Sequence, residues 1–285
     1  MLVDKSMQAK LNSQINSLLQ QPHAAIMGII NVTPDSFSDG GENFATDAAV
    51  QHGLRLVAEG ANILDIGGES TRPDAKPVSL TEELDRIIPV IEKMSLATDV
   101  PISVDTYKPT VMLEAVKAGA QMINDVQALR MEGAIEAAAK LNVPVCLMHM
   151  QGDPSTMQKK PKYENVNEEV SAFLQSRIDA CIKAGVAEQN IIVDPGIGFG
   201  KTLQHNLELL AGVPELTKLG YKVLIGVSRK SMIEHLLKRS AKERVAASVG
   251  LAVQSVLNGA KIVRVHDVFA THDAIRAVDA VSNAK

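Results

Sequence analysis

The sequence predicts a (β/α)8 barrel, a single-domain α/β fold, and three observations carry that prediction. Eight short apolar runs recur along the 285 residues, and helix-like stretches separate them. The ends of the runs fall about 33 residues apart, close to the roughly 30 residues of one strand-helix unit. The runs are too short for helices and apolar without alternation, as strands buried on both faces should be. A typical barrel of about 250 residues leaves room for extra loops. A doubly wound open sheet is the alternative arrangement of the same elements. No linker or composition shift divides the chain, so residues 21–285 read as one barrel domain. Residues 1–20 form an N-terminal segment of unassigned role.

In order, the runs are AAIMGIINV (24–32), ANILDIGG (61–68), PISVDT (101–106), MINDV (122–126), PVCLMHM (144–150), IIVDPG (191–196), KVLIGVS (222–228) and KIVRVHD (261–267). A helix is expected over 46–59, with Thr46 as N-cap, Val50, Leu54 and Val57 on one face, and Gly60 just past its end. Further helices are expected over 81–94, 165–183, 203–219 and 244–257.

Composition narrows the function classes. Hydrophobic residues make up 46% and charged residues 22% of the chain, the proportions of a globular protein with a substantial core. Lys plus Arg (29) nearly balance Asp plus Glu (33) for a net charge of -4, which argues against a bulk nucleic-acid or anionic-membrane binder. The N-terminus lacks a basic segment followed by an apolar stretch, and no run approaches the roughly 20 residues needed to span a bilayer. The expected location is therefore cytoplasmic. Cys146 and Cys181 read as reduced core thiols rather than a disulfide framework.

Every run ends in polar residues, and in a barrel those ends form the active-site face. They supply Asn31 and Thr33; Asp65, Glu69, Ser70, Thr71 and Arg72; Asp105 and Lys108; Asn124 and Asp125; His149; Asp194; Ser228, Arg229, Lys230 and Ser231; and Arg264, His266 and Asp267. Any one could be a helix cap or a solvated loop group. Eight together point to a site, because unsatisfied polar groups over a barrel core cost about 1–3 kcal/mol each. Arg72, Arg229, Lys230, Arg264 and His266 suit a phosphate or carboxylate. Asn31, Asp105, Asn124 and Asp194 offer amides and carboxylates to the edge of a flat heterocycle. Asn31 and the acidic groups of the first loop suit Mg²⁺, a cation that prefers oxygen ligands and bridges protein to phosphates.

Other signals are weaker. DPGIGFGKT has Pro195 where a Walker A loop needs Gly, and Lys201 where a dinucleotide fingerprint needs its third Gly. Its glycines read as a sixth-strand loop passing close to a ligand or as an ordinary tight loop. Cys146 and His149 have half the spacing of a zinc site, but no second cysteine cluster accompanies them, which favours structural roles. Met148 and Met150 read as packing or as adaptable walls for a flat ring.

The strand-end motifs NVTPDSFSDGG (31–41), DIGGESTRP (65–73), SVDT (103–106), IND (123–125), MHMQG (148–152), DPGIGFGK (194–201), SRKS (228–231) and RVHD (264–267) resemble those of the dihydropteroate synthases, folate-pathway transferases. The resemblance runs in order from about residue 24 to 280. It implies a (β/α)8 barrel that joins 4-aminobenzoate to (7,8-dihydropterin-6-yl)methyl diphosphate, releasing diphosphate, with Mg²⁺ as cofactor and a homodimer as assembly. Carried over motif by motif, Asp105, Asn124, Asp194 and Lys230 would hold the pterin, with Met148 and Phe199 lining its slot. Asn31, Thr71, Arg72, Arg264 and His266 would hold diphosphate, and Asn31 and Asp35 the Mg²⁺. Phe37, Thr71, Pro73 and Ser231 would shape the 4-aminobenzoate site. Asp105, Asp194, Lys230, Arg264 and His266 would carry catalysis, by a dissociative route that needs no nucleophile activation. Residues 35–39, with Gly40 and Gly41, would form a closing lid over the reacting centre.

Tyr107 and Asp74 depart from the family pattern, where small residues are usual. Three other readings remain: a methyltetrahydrofolate-binding methyltransferase domain, a Schiff-base aldolase using Lys230, and a pterin-binding protein without catalysis.

Overall fold

The computed structural model describes residues 14–33, 41–70, 77–152 and 157–284. Eight parallel strands close into a barrel in chain order. They are β1 (Ala25–Asn31), β2 (Ile63–Gly67), β3 (Ile102–Asp105), β4 (Met122–Asp125), β5 (Val145–Met148), β6 (Ile191–Asp194), β7 (Lys222–Ile225) and β8 (Ile262–Val265). β1 pairs with both β2 and β8, which closes the sheet and excludes the open alternative.

Helices cover the outside: α1 (residues 14–20), α2 (Gly41–Ala58), α3 (Leu80–Ala97), α4 (Pro109–Ala118), α5 (Ala134–Leu141), α6 (Val166–Lys183), α7 (Leu203–Ala211), α8 (Val213–Thr217), α9 (Ser231–Leu237), α10 (Val245–Leu257) and α11 (Val268–Ser282). Asn165 caps α6 by accepting from the N–H groups of Asn167 and Glu168, as expected from its position. Two expectations are corrected. Thr46 is not an N-cap, because α2 already begins at Gly41; an apolar period marks only the turns that pack, and the helix extends beyond them. The stretch 203–219 is two helices, because Pro214 lacks an N–H donor and starts a new helix after Gly212.

The strands explain why their sequences are apolar throughout. Residues such as Ile30, Leu64, Val104, Ile123, Leu147, Val193 and Val263 face the helices. Their neighbours Met27, Ile63, Met122, Cys146, Ile192, Leu224 and Ile262 form a second buried cluster inside the barrel. Ile15 and Leu19 of α1 join that cluster, fully or almost fully buried. Residues 14–20, the described part of the segment to which the sequence assigns no role, thus supply a plug for the N-terminal end of the barrel. Burying a side chain of this size contributes about 1.5–3 kcal/mol.

Candidate active site

Two residues beyond the interior apolar layer, the same inward-facing parity carries polar or adaptable groups. Ile63 is followed by Asp65, Met122 by Asn124, Cys146 by Met148, Ile192 by Asp194 and Ile262 by Arg264. Asp105 holds the equivalent position on β3, and Gly67 makes room for it: a β-carbon there would lie 3.3 Å from Asp105 Cβ. Asp65, Asp105, Asn124 and Asp194 are all buried at the C-terminal mouth of the barrel.

Arg264 ties these groups together. Its Nε donates to Asp65 Oδ2 and its Nη2 to Asp105 Oδ2, each at 2.6 Å. Asn124 Nδ2 donates to the same Asp65 oxygen at 3.1 Å. Burial works against the guanidinium charge, but Asp65 and Asp105 more than offset it and hold the Arg264 pKa above its ordinary value. Burial lifts Asp105 above the usual carboxylate range, opposed by Arg264 and assisted by Asp65.

Across the mouth, Asp194 accepts the Gly196 N–H at 2.7 Å, and burial raises its pKa against the pull of Lys230. Lys230 precedes α9, donates Nζ to the Ile197 carbonyl, and sits 4.7 Å from the centre of the Phe199 ring. Burial brings its pKa down to about 8, with Asp194 opposing the fall. Phe199 and Tyr107 pack against an apolar cluster of Val126, Met148, Met150 and Met157, which forms one wall of the mouth. The Tyr107 hydroxyl donates to Glu69 at 3.1 Å, so this departure from the family pattern is built into the wall.

Asn31 ends β1 half-buried. His266 is half-buried, with Nδ1 3.1 Å from Ser228 Oγ. Ser231 opens α9 and is exposed. Asp35, Phe37, Thr71, Arg72, Pro73 and Asp74, and the lid expected over 35–39, lie outside the described residues. Among the described residues, no three or more His, Cys, Asp or Glu side chains are grouped to hold a metal.

The cationic groups and the carboxylate and amide groups that the sequence assigns to different parts of the ligand are interlocked. Arg264 is embedded in the wall. Arg229 turns to Asp267, with Nε–Oδ2 at 3.0 Å and Nη2–Oδ1 at 2.5 Å. Lys108 is held by Glu69 and Glu83, both at 2.5 Å. Buried carboxylates demand nearby countercharge, and the strand-end cations meet that demand first.

Two residues here had no role in the sequence reading, Asp65 among the strand ends and Lys201 in the sixth-strand loop. Asp65 orients both Arg264 and Asn124 from a fully buried position; its inward parity with Ile63 was the available signal. Lys201 is also buried, its Nζ 2.9 Å from His149 Nδ1. Cys146 and His149 have the separate structural roles expected, Cys146 in the apolar interior and His149 beneath the loops.

The family model described as pterin binding enzyme matches residues 27–266. A dihydropteroate synthase of Escherichia coli strain K12 is 50% identical over 277 residues, covering 97% of this chain and 98% of that one. A Xanthomonas albilineans dihydropteroate synthase solved with 4-aminobenzoic acid superposes with a TM-score of 0.88 at 52% identity, over 94% of this chain and 95% of that one. The enzyme from the same organism in complex with 7,8-dihydropteroate gives a TM-score of 0.85 at 49% identity, over 93% and 95% of the two chains. With the barrel, the polar mouth and these likenesses in agreement, the chain belongs to the pterin-binding enzymes, within the dihydropteroate synthase family.

Proposed function

We propose that this chain condenses (7,8-dihydropterin-6-yl)methyl diphosphate with 4-aminobenzoate, giving 7,8-dihydropteroate and diphosphate. The observation that carries the reading is the convergence of Asp105, Asn124, Asp194, Lys230 and Arg264 on one barrel mouth beside the Met148 and Phe199 wall. That combination suits a flat ring whose edge both donates and accepts hydrogen bonds.

The bond between the pterin methylene and the bridging diphosphate oxygen breaks, and the electron pair leaves with diphosphate. The ring delocalises the positive charge left on the methylene. Asp105 and Asp194 favour that charge electrostatically, in a buried setting where fixed charges act strongly. The neutral aniline nitrogen then forms the C–N bond and loses a proton. No activated nucleophile is required.

His266, Arg264 and Asn31, with Thr71 and Arg72, are assigned to the diphosphate. Ser231, with Phe37, Thr71 and Pro73, is assigned to 4-aminobenzoate. The half-buried amide of Asn31 is a hard oxygen donor at the diphosphate side, so it fits Mg²⁺, with Asp35 and substrate oxygens completing the set. Bound there, Mg²⁺ supplies charge neutralisation for the leaving group.

A homodimer accompanies this reading. The polar residues of α10 are Ser248, Gln254 and Ser255, yet both serines are buried. Their hydroxyls donate back to the carbonyls of Arg244 and Leu251 at 2.7 Å. The exposed positions are Ala246, Gly250, Gln254 and Leu257, mostly apolar, and Leu257 is 58% exposed; a second copy of the chain would cover it. Cytoplasmic location fits the two buried free thiols.

Diphosphate release with both substrates tests the assignment. Release from the wild type, lost in Asp194→Ala, is expected; binding of the pterin diphosphate without release would make this a binding protein instead.

A further inference from the structure

The loop after β6 is held largely by side chains, besides one internal backbone bond from Phe199 N–H to the Gly196 carbonyl at 3.0 Å. Four successive carbonyls each accept from a different donor: Ile197 from Lys230 Nζ, Gly198 from Gln158 Nε2, Phe199 from Lys201 Nζ at 2.9 Å, and Gly200 from the Tyr163 hydroxyl at 2.9 Å. The loop also lies hard against the segment after β5. A β-carbon on Gly196, at φ +68°, would stand 1.9 Å from the His149 carbonyl oxygen; one on Gly200, at φ +62°, would stand 2.7 Å from that of Gln151. His149 N–H donates to the Asp194 carbonyl at 2.9 Å across the same seam.

Lys201 sits in that seam. Only 4% exposed, it has no carboxylate within ion-pair distance among the described residues. Its Nζ instead meets three acceptors from the two loops: Phe199 O at 2.9 Å, His149 Nδ1 at 2.9 Å and His149 O at 3.4 Å. Three acceptors match the three donors of an ammonium. Buried lysines are rare unless paired. Here the partners are backbone carbonyls crowded by the close loop approach, and a cation between them relieves their mutual repulsion.

We propose that Lys201 is a positioning residue for the ring slot: by clamping the loop after β6 to the segment after β5, it fixes Phe199 and Asp194 in register with Met148. Its Nζ partners are Phe199 and His149, and it acts through the residues it holds. The protonation state of His149 agrees. Burial first, then the Lys201 charge, brings His149 down to about 3, which keeps its imidazole an acceptor. Burial works against the Lys201 charge, lowering its pKa to about 7, with Asp194 opposing and Lys230 assisting, so the clamp is fully cationic only below neutral pH and the amine still donates above it.

The inference rests on the proposed activity, and the assays separate the two. Steady-state kinetics on Lys201→Met, a substitution of similar length without donors, should show the pterin diphosphate KM raised about tenfold or more, with the 4-aminobenzoate KM changed less than about twofold. Titration with 6-hydroxymethyl-7,8-dihydropterin alone should show the same loss of affinity. A purely structural lysine would reduce the melting temperature and the active fraction while leaving both KM values as in the wild type, and that result would overturn the proposal. Should Lys201→Met fail to fold, ¹⁵N spectra of the wild-type His149 ring decide: a neutral ring with Nδ1 accepting from pH 5 to 8, its signal moving on addition of 6-hydroxymethyl-7,8-dihydropterin, supports the clamp. A ring that titrates near pH 6.5, or is unmoved by that ligand, refutes it. A wild type that releases no diphosphate counts against the activity, whereas an active wild type with an unchanged pterin KM in Lys201→Met counts against the clamp alone.

Discussion

Arg264 on β8 and Asp105 on β3 meet at 2.6 Å although β1 and β2 separate their strands, so one ion pair spans the mouth of the barrel. The same guanidinium holds Asp65. Replacing Arg264 with Met would leave two buried carboxylates without their cation. The expected cost is about 3–5 kcal/mol, read as a lower urea midpoint at unchanged slope. Arg264→Lys should retain more of the stability but lose activity, because a single ammonium cannot reproduce the two-pronged contact.

Lys230 links pH to both function and stability, with opposite signs. Its folded pKa of about 8 lies below its ordinary 10.5. Between those values the unfolded chain binds a proton that the folded chain has released, so stability attributable to this residue rises with pH across that window. Activity should move the other way, with kcat/KM falling above about pH 8 as the ammonium is lost. Denaturation midpoints from pH 7 to 10.5, compared between wild type and Lys230→Met, test the first half: the rise should be smaller in the variant. A pH–rate profile of the wild type tests the second.

The plug formed by α1 should matter for stability alone. Leu19 is 2% exposed within the interior apolar cluster, at the end of the barrel opposite the polar mouth. Leu19→Ala is expected to lower stability by about 2–5 kcal/mol. Both KM values should stay within twofold of wild type at a temperature where the variant is folded. A selective change in pterin KM would show that the two ends of the barrel communicate.

Exposure on α10 and α11 bears on assembly. Leu257 and Phe269 are 58% and 63% exposed, unusual for large apolar side chains. Sedimentation equilibrium should find a dimer for the wild type. Leu257→Glu should move the equilibrium toward monomer by at least about tenfold, since an interfacial charge left unpaired costs more than about 1.4 kcal/mol. An unchanged dimer would place the interface elsewhere.

Strand positions were legible because a barrel strand packed on both faces must be apolar along its length, and all eight runs coincide with strands. The helix errors at Thr46 and at Pro214 arose where local signals compete: an apolar period describes packing rather than length, and the proline break outweighed an otherwise continuous pattern. The strand-end positions of Asp105, Asn124, Asp194 and Lys230 were readable for the same reason the barrel was, since each follows an apolar run.

Which polar groups pair was a different matter. Sequence alone determined the fold class, the strand ends and the residue types brought to the mouth, because those depend on local periodicity and on the fixed face a parallel barrel presents. Only tertiary structure decided that Arg264 enters the carboxylate wall, that Arg229 turns to Asp267, and that Lys201 settles between two loops with backbone carbonyls and His149 as its partners. Those choices depend on distances between strands far apart in the chain. Electrostatics selects among them by the low dielectric of the interior, where each buried charge takes the best partner within reach.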